Sequence, residues 1–220
     1  MLFTVVGSSC SGKTAAARAV EALAAGTGDG LVVHDFDEIG VPPGAGAGWR
    51  HRATEAWIRR ALEYQAAGVD VLLTGQSPLG EVLACPSATA LDGIAACLID
   101  VADPVRLRRL EERDPEKWDD RTKEAFLGWA QWLRGHAADP QHRPEAITAA
   151  GGEDMRWSRW SAWSGSDPRW AVPTIDTTGR TIEETALVLH SWITGARRAR
   201  LNGHLPLAPG WADHHPPVPR

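Results

Sequence analysis

The sequence predicts an α/β fold, a five-stranded parallel sheet with helices on both faces in a three-layer α/β/α sandwich. Three observations predict it. Short apolar runs at Leu2 to Val6, Leu31 to Asp35, Val69 to Thr74, Ile94 to Val101 and Val172 to Ile175 alternate with helix-forming segments. The runs are nearly continuous in apolar character, as strands buried on both faces are. The first run leads through a glycine-bounded loop into Ala15 to Ala25, a stretch of strong helix formers. With 220 residues and 43% hydrophobic content, the chain is long enough for one domain with a substantial core.

The elements follow in order. Gly26-Thr27-Gly28-Asp29-Gly30 forms a turn before the second strand, and Pro42-Pro43-Gly44-Ala45-Gly46 breaks the chain after it. A helix from about Trp49 to Ala67 carries Ala53, Trp57, Ala61 and Leu62 on one stripe and ends at Gly68 in a capping position. After the fourth strand, Asp103-Pro104 supplies a cap and first residue for a helix through Arg113. Residues 114–169 break the alternation. They are charged and interrupted by Pro140, Pro144, Gly151-Gly152 and Pro168, and seven of the 11 Trp residues lie between Trp118 and Trp170. The segment reads as a helical insertion, a lid covering the site, with its Trp residues as core fillers or as flat walls for a planar ligand. Thr181 and Glu184 make a capping box for a last helix to about Arg200 that buries Ile182, Leu187, Leu189 or Val188, and Ile193. The domain is thus 1–202. Residues 203–220, with five prolines and two glycines, form an extended or mobile tail with His214-His215 in solvent.

The 23 basic and 28 acidic residues give a net charge of −5, which disfavours stable attachment to nucleic acid or to an anionic membrane. No apolar stretch approaches about 18 residues, and the chain opens directly on a strand, so a cytoplasmic protein is expected. A homodimer stays open. Cys10, Cys85 and Cys97 are odd in number and widely spaced, which indicates neither a disulfide framework nor a zinc site.

The chemistry begins at Gly7-Ser8-Ser9-Cys10-Ser11-Gly12-Lys13-Thr14. Two glycines four residues apart, followed by Lys and Thr, between a strand and a helix, form a phosphate-binding loop. Gly7 and Gly12 allow backbone dihedrals closed to other residues, so that successive amides surround an anion at a positive helix end. Lys13 reaches the β- and γ-phosphates of ATP, and the Thr14 hydroxyl is a ligand of Mg²⁺. Strand two ends His34-Asp35-Phe36-Asp37-Glu38. On an extended segment Asp35 and Asp37 point the same way. Asp35, nearer the strand, suits the metal, and Asp37 suits an attacking hydroxyl as proton acceptor.

Gly7 to Thr14 followed by Asp35-Phe36-Asp37 resembles the shikimate-, gluconate- and nucleotide-kinase group of P-loop small-molecule kinases, which implies the P-loop NTPase form of the sandwich. In shikimate kinases an Asp-x-Asp after the second strand serves the metal and then the substrate, which implies those roles for Asp35 and Asp37. The Gly-Ser-Ser-x-x-Gly-Lys opening, with Asp176-Thr177-Thr178, is also similar to chloramphenicol phosphotransferases. The resemblance covers about the first 40 residues, Ile94 to Arg113 and Val172 to Ile193.

Arg106, Arg109 and Arg113 recur at helical spacing on one face. In the same kinases this helix leads into a lid whose arginines contact the triphosphate, which implies that role for Arg109 and Arg113. Thr178 falls where the resemblance places the adenine. Gln76, at the end of strand three, offers a neutral amide to the acceptor. Arg52 suits an anionic substrate, although surface charge also accounts for it. Arg156 and Trp157, in a run of cations among aromatics, suit a closing wall over substrate and equally suit helix packing.

The expectation is an ATP- and Mg²⁺-dependent kinase acting on a hydroxyl of a small molecule, with Lys13, Asp37, Arg109 and Arg113 as its catalytic residues. The Trp-rich insertion tilts the acceptor toward a nucleoside-like or aromatic compound, with an antibiotic or sugar acid as alternatives. A regulatory nucleotide switch is the rival of another class, and no clear switch sequence supports it.

Overall fold

β1 (Leu2–Val6), α1 (Lys13–Ala25), β2 (Leu31–Asp35), α2 (Ala47–Ala66), β3 (Asp70–Gly75), α3 (Leu79–Ala84), β4 (Ile94–Asp100), α4 (Asp103–Arg113), α5 (Asp120–Ala138), α6 (Glu145–Thr148), β5 (Thr174–Asp176) and α7 (Ile182–Leu201) succeed one another along the chain. This computed structural model describes residues 1–26, 30–149, 152 and 154–213. The predicted turn residues Thr27 to Asp29, Gly151, and the end of the tail with His214-His215 lie outside the described residues.

All five strands are parallel, in the order β2-β3-β1-β4-β5. β1 is central, with Val6 opposite Gly75 of β3 and Leu98 of β4. Because the chain leaves β1 for β2 on one side and returns to β4 on the other, the crevice for a ligand opens at the carboxyl end of β1.

Side-chain alternation divides the strands between two cores. Leu2, Val6, Val71, Leu73, Ile94, Ala96 and Leu98 face one side, against Ala53, Trp57, Ile58 and Ala61 of α2, the α3 residues, and Trp132 and Leu133 of α5. Phe3, Val5, Leu72, Ala95, Cys97 and Ile99 face the other, against Ala16, Ala17 and Val20 of α1 and Ala186, Leu189 and Ile193 of α7. These two cores make the three layers. Among the described residues no helix is long and apolar enough to cross a membrane.

Two expectations are corrected, one open choice is decided and one helix is new. Of the two readings of the Trp residues, core holds for most: Trp132, Trp160, Trp163 and Trp170 are buried, and Trp129 and Trp157 pack against them, while Trp118 lies outside both cores, edge-on to Phe126. Trp160 anchors the group, with its Nε1 donating to the Gly80 carbonyl at 2.8 Å. Ring contacts run from Trp129 through Trp132 and His136 to Trp170, each pair adding about 0.5–1.5 kcal/mol beyond its buried area. α3 was not expected, because Leu79 to Ala84 is too short for a helical period to register. On α7 the capping box is present, with Thr181 accepting from the Glu184 amide, but the buried stripe is Thr185, Ala186, Leu189 and Ile193, while Ile182, Leu187 and Val188 are exposed. Leu187 lies away from that stripe, and Ile182 stands at the first turn, beside the crevice. Residues 203–213 pack on the domain: Leu205, Leu207 and Trp211 are buried, and the Ile94 amide donates to the Leu207 carbonyl at 3.1 Å.

Candidate active site

The loop after β1 must turn within a very small space. A Cβ on Gly7 would lie 2.5 Å from the Ile99 carbonyl oxygen and 2.6 Å from the Ser11 Oγ, so only glycine fits. Gly12 has φ +93°, in the left-handed region, and Cys10 adopts φ +60° beside it. Gly12 caps α1, and no side chain caps its first amides. An uncapped helix start facing a crevice is an anion site waiting for acceptors.

α4 straps this loop from outside. Arg106 is fully buried. It donates from Nη1 to the Ser9 carbonyl at 2.6 Å and from Nη2 to the Asp100 carboxylate. Arg109 donates from Nη1 to the Cys10 carbonyl at 3.3 Å and to the Thr177 hydroxyl at 3.0 Å, and from Nη2 to the Thr177 carbonyl at 3.2 Å. The Thr177 hydroxyl in turn donates to the Ser11 carbonyl at 2.9 Å. The arginine face predicted on this helix is therefore split, with Arg106 serving as a strut while Arg109 and Arg113 border open space.

The carboxylates meet the loop directly. The Thr14 hydroxyl donates to Asp35 Oδ2 at 2.9 Å, and the Thr74 hydroxyl donates to the same oxygen at 3.0 Å. Asp35 Oδ1 accepts from the Asp37 amide at 3.1 Å. This last bond corrects the period-two argument, because β2 ends at Asp35 and Phe36–Ile39 form a 3₁₀ turn capped by Asp35 itself. Glu38 closes that turn, accepting from the Asp35 amide at 3.0 Å with Oε1, while its Oε2 is 2.8 Å from His34 Nδ1. Asp37 is nevertheless delivered to the same cavity as Asp35. Partial burial pushes the Asp37 carboxyl above the usual carboxylate range, Asp35 pushes it further, and Lys13 opposes both. Burial lowers the Lys13 ammonium, with Asp35 and Asp37 pulling it back up.

The cavity holds about 600 Å³ and brings together Ser9, Cys10, Gly12, Lys13 and Thr14 of the loop with Asp35, Asp37, Gln76, Arg109 and Arg113. Ser8 and Ser11 are buried behind the loop, Ser8 with its Oγ donating to the Phe126 carbonyl at 3.1 Å. Four predicted residues lie elsewhere. The Thr178 hydroxyl is turned to the Ala102 amide at 2.8 Å, because the bonds of Thr177 to the loop leave its neighbour on the outer side. Trp157 packs against the core and edge-on to His51. Arg52 and Arg156 line a different cavity, because they project from a different side of α2 and from a segment packed against it. Sequence reasoning missed Arg180 and Ile182, which complete the wall. Their position just beyond the fifth strand end was the signal that could have found them. Among the described residues, none of 114–169 lines this cavity.

No protein-family model matches the chain, and no curated protein matches it in sequence. Among solved structures it is similar to an unliganded sugar kinase from Janibacter sp. HTCC2649, with a TM-score of 0.54 and 16% identity over 97% of this chain and 98% of the other. It is also similar to APE1195, with a TM-score of 0.50 and 20% identity over 89% and 95%. At such identities the likeness is one of fold, a kinase-like α/β sandwich.

Proposed function

We propose that this chain is an ATP- and Mg²⁺-dependent kinase that transfers the γ-phosphoryl group to a hydroxyl of a small molecule. The observation that carries the reading is the 2.9 Å bond from the Thr14 hydroxyl to Asp35, in the cavity that also holds Lys13 and Asp37. A hydroxyl and one carboxylate beside a phosphate loop suit Mg²⁺, which keeps waters and phosphate oxygens as its other ligands rather than an all-protein cage. Bound Mg²⁺·ATP supplies the transferable phosphoryl group and offsets its charge.

The chain's residues divide the remaining work. Thr14 and Asp35 hold the metal side. The first amides of α1 and Lys13 hold the phosphates, and Arg109 and Arg113 face them across the cavity. Asp37, its carboxyl free of the bonds that engage Asp35, accepts the proton of the attacking hydroxyl, and its raised pKa brings it nearer to neutral operation. Ile182 offers an apolar surface to the base of the nucleotide. The catalytic unit is residues 1–202, with the packed segment 203–213 against it.

The acceptor reading shifts from the aromatic to the polar. With the Trp residues in the core, the tilt toward a planar acceptor loses its ground. Gln76, Asp37 and Arg113 favour a polyhydroxylated compound such as a sugar or sugar acid. The sugar kinase that shares the fold agrees with that choice. The test is a panel of sugars, sugar acids, nucleosides and antibiotic alcohols incubated with Mg²⁺·ATP and read by mass spectrometry for gain of one phosphoryl group. A sugar-type compound should gain it, and the Lys13→Ala chain should transfer nothing. Rapid ATP hydrolysis that needs no acceptor and depends on a protein partner would replace this reading with the switch.

A further inference from the structure

Arg52 and Arg156, left out of the loop cavity, meet in a second cavity of about 670 Å³. It lies between the start of α2 and the segment before the Trp157 turn, and it shares no lining residue with the loop cavity. Its wall includes His51, which is 2% exposed. Neither ring nitrogen of His51 has a hydrogen-bond partner among the described residues; Nε2 faces Glu81 Oε1 at 3.5 Å, which leaves Nδ1 without a polar neighbour of that kind. A buried ring nitrogen without a partner is costly and points to a group that is meant to be met there.

The surroundings are suited to an anion. Among the described residues no ion pair engages Arg52 or Arg156. Arg52 folds back over the start of α2, its Nη1 3.6 Å from where a Cβ on Gly48 would stand. That helix start has no side-chain cap, so its positive end reinforces the guanidinium. Two carboxylates share the cavity. Glu55 is already engaged, by Arg59 at 2.8 Å and by the Ser87 hydroxyl and amide at 2.6 and 3.2 Å. Asp154 stands exposed at the rim.

We propose that this cavity binds a small phosphomonoester. Arg52 and Arg156 grip its oxygens from two sides with planar forks that match phosphate geometry, and His51 Nδ1 meets it from the buried wall. The inference stands apart from the kinase reading, since it concerns residues that reading does not use. The probe is glycerol 3-phosphate, titrated calorimetrically into the Lys13→Ala chain so that the phosphate loop is weakened as a competing site. One site should be filled. Arg52→Gln and Arg156→Gln should each weaken binding by about tenfold, and together abolish it. Both side chains are exposed, so the variants should melt as the parent does. Failure of glycerol 3-phosphate to bind at millimolar concentration, or equal binding by the double variant, would overturn the proposal. Tighter binding of succinate than of glycerol 3-phosphate would overturn the choice of phosphate over carboxylate.

Discussion

Replacing Arg106 by Met removes a guanidinium with 0% exposure while keeping most of its aliphatic length. The loss is therefore one of charge and hydrogen bonds. Deleting one partner of a buried ion pair costs about 3–5 kcal/mol. Asp100 keeps a second guanidinium, since Arg134 donates to its Oδ2 at 3.0 Å, so the lower end applies, about 3 kcal/mol. For a chain of this size that lowers the melting temperature by about 6–12 °C. Urea and thermal unfolding, followed by Trp fluorescence, measure the loss. Arg108→Met is the reference on the same helix. Its guanidinium is 66% exposed and 3.6 Å from Glu112, and its removal should cost less than about 0.5 kcal/mol. Arg106→Lys should not rescue, because a point charge cannot reach the Ser9 carbonyl and Asp100 together. A loss below about 1 kcal/mol for Arg106→Met, or equal losses at the two positions, would refute the strut.

Three other outcomes are expected. If Asp37 is the proton acceptor proposed above, it works deprotonated, and the transfer rate should fall as pH drops through its raised pKa, placing the acid limb above the range of an ordinary Asp. Asp37→Asn should lower kcat by about 10²–10⁴-fold with nucleotide affinity unchanged, and equal loss of both would remove its role as base. Gly7→Ala should cost about 1–3 kcal/mol by overpacking and abolish nucleotide binding by calorimetry, since its Cβ meets the backbone carbonyl of Ile99. Intact binding would contradict the loop geometry. Burial lowers the His136 imidazole from 6.5 to about 4, so between those values the unfolded chain holds the extra proton. Folding stability should therefore fall as pH falls across that window, by up to about 1.4 kcal/mol per pH unit. His136→Phe should flatten that slope in urea titrations at several pH values, and an unchanged slope would exonerate the residue.

What could be read along the chain was what depends on near neighbours. The apolar runs announced the strands because both faces of each are covered, and Thr181 with Glu184 announced the start of α7 because a capping box is local. The loop was legible for the same reason, since Gly7 to Thr14 contains the backbone freedom it needs. Asp37 was placed in the right crevice by an argument that does not hold, since Asp35 turns the chain into a 3₁₀ turn instead of extending it. The Trp residues and Arg52 depended on packing at a distance. A Trp reads alike in sequence whether it meets Gly80, as Trp160 does, or a ligand, and nothing near Arg52 shows that residue 156 stands across from it. Arg106 and Arg109 share a helical face, yet one is sealed by Asp100 and Ser9 and the other opens on the cavity, a difference set by β4 and the loop.

The brace formed by Glu38 fixes one side of the loop cavity. One carboxylate ties the Asp35 amide and His34, and His34 Nε2 is 3.0 Å from the Tyr64 hydroxyl on α2. The turn bearing Asp37 is thus pinned at its start, and the Trp-rich insertion is held in the core rather than hinged above the site. Across from it, Arg113 and Arg180 reach the cavity from its exposed side, where side-chain rotamers exchange in picoseconds to nanoseconds once an ion pair such as that of Arg113 with Asp114 opens. If the proposed transfer takes place here, Asp37 is preset before a ligand arrives, and the exposed arginines are what remains to adjust.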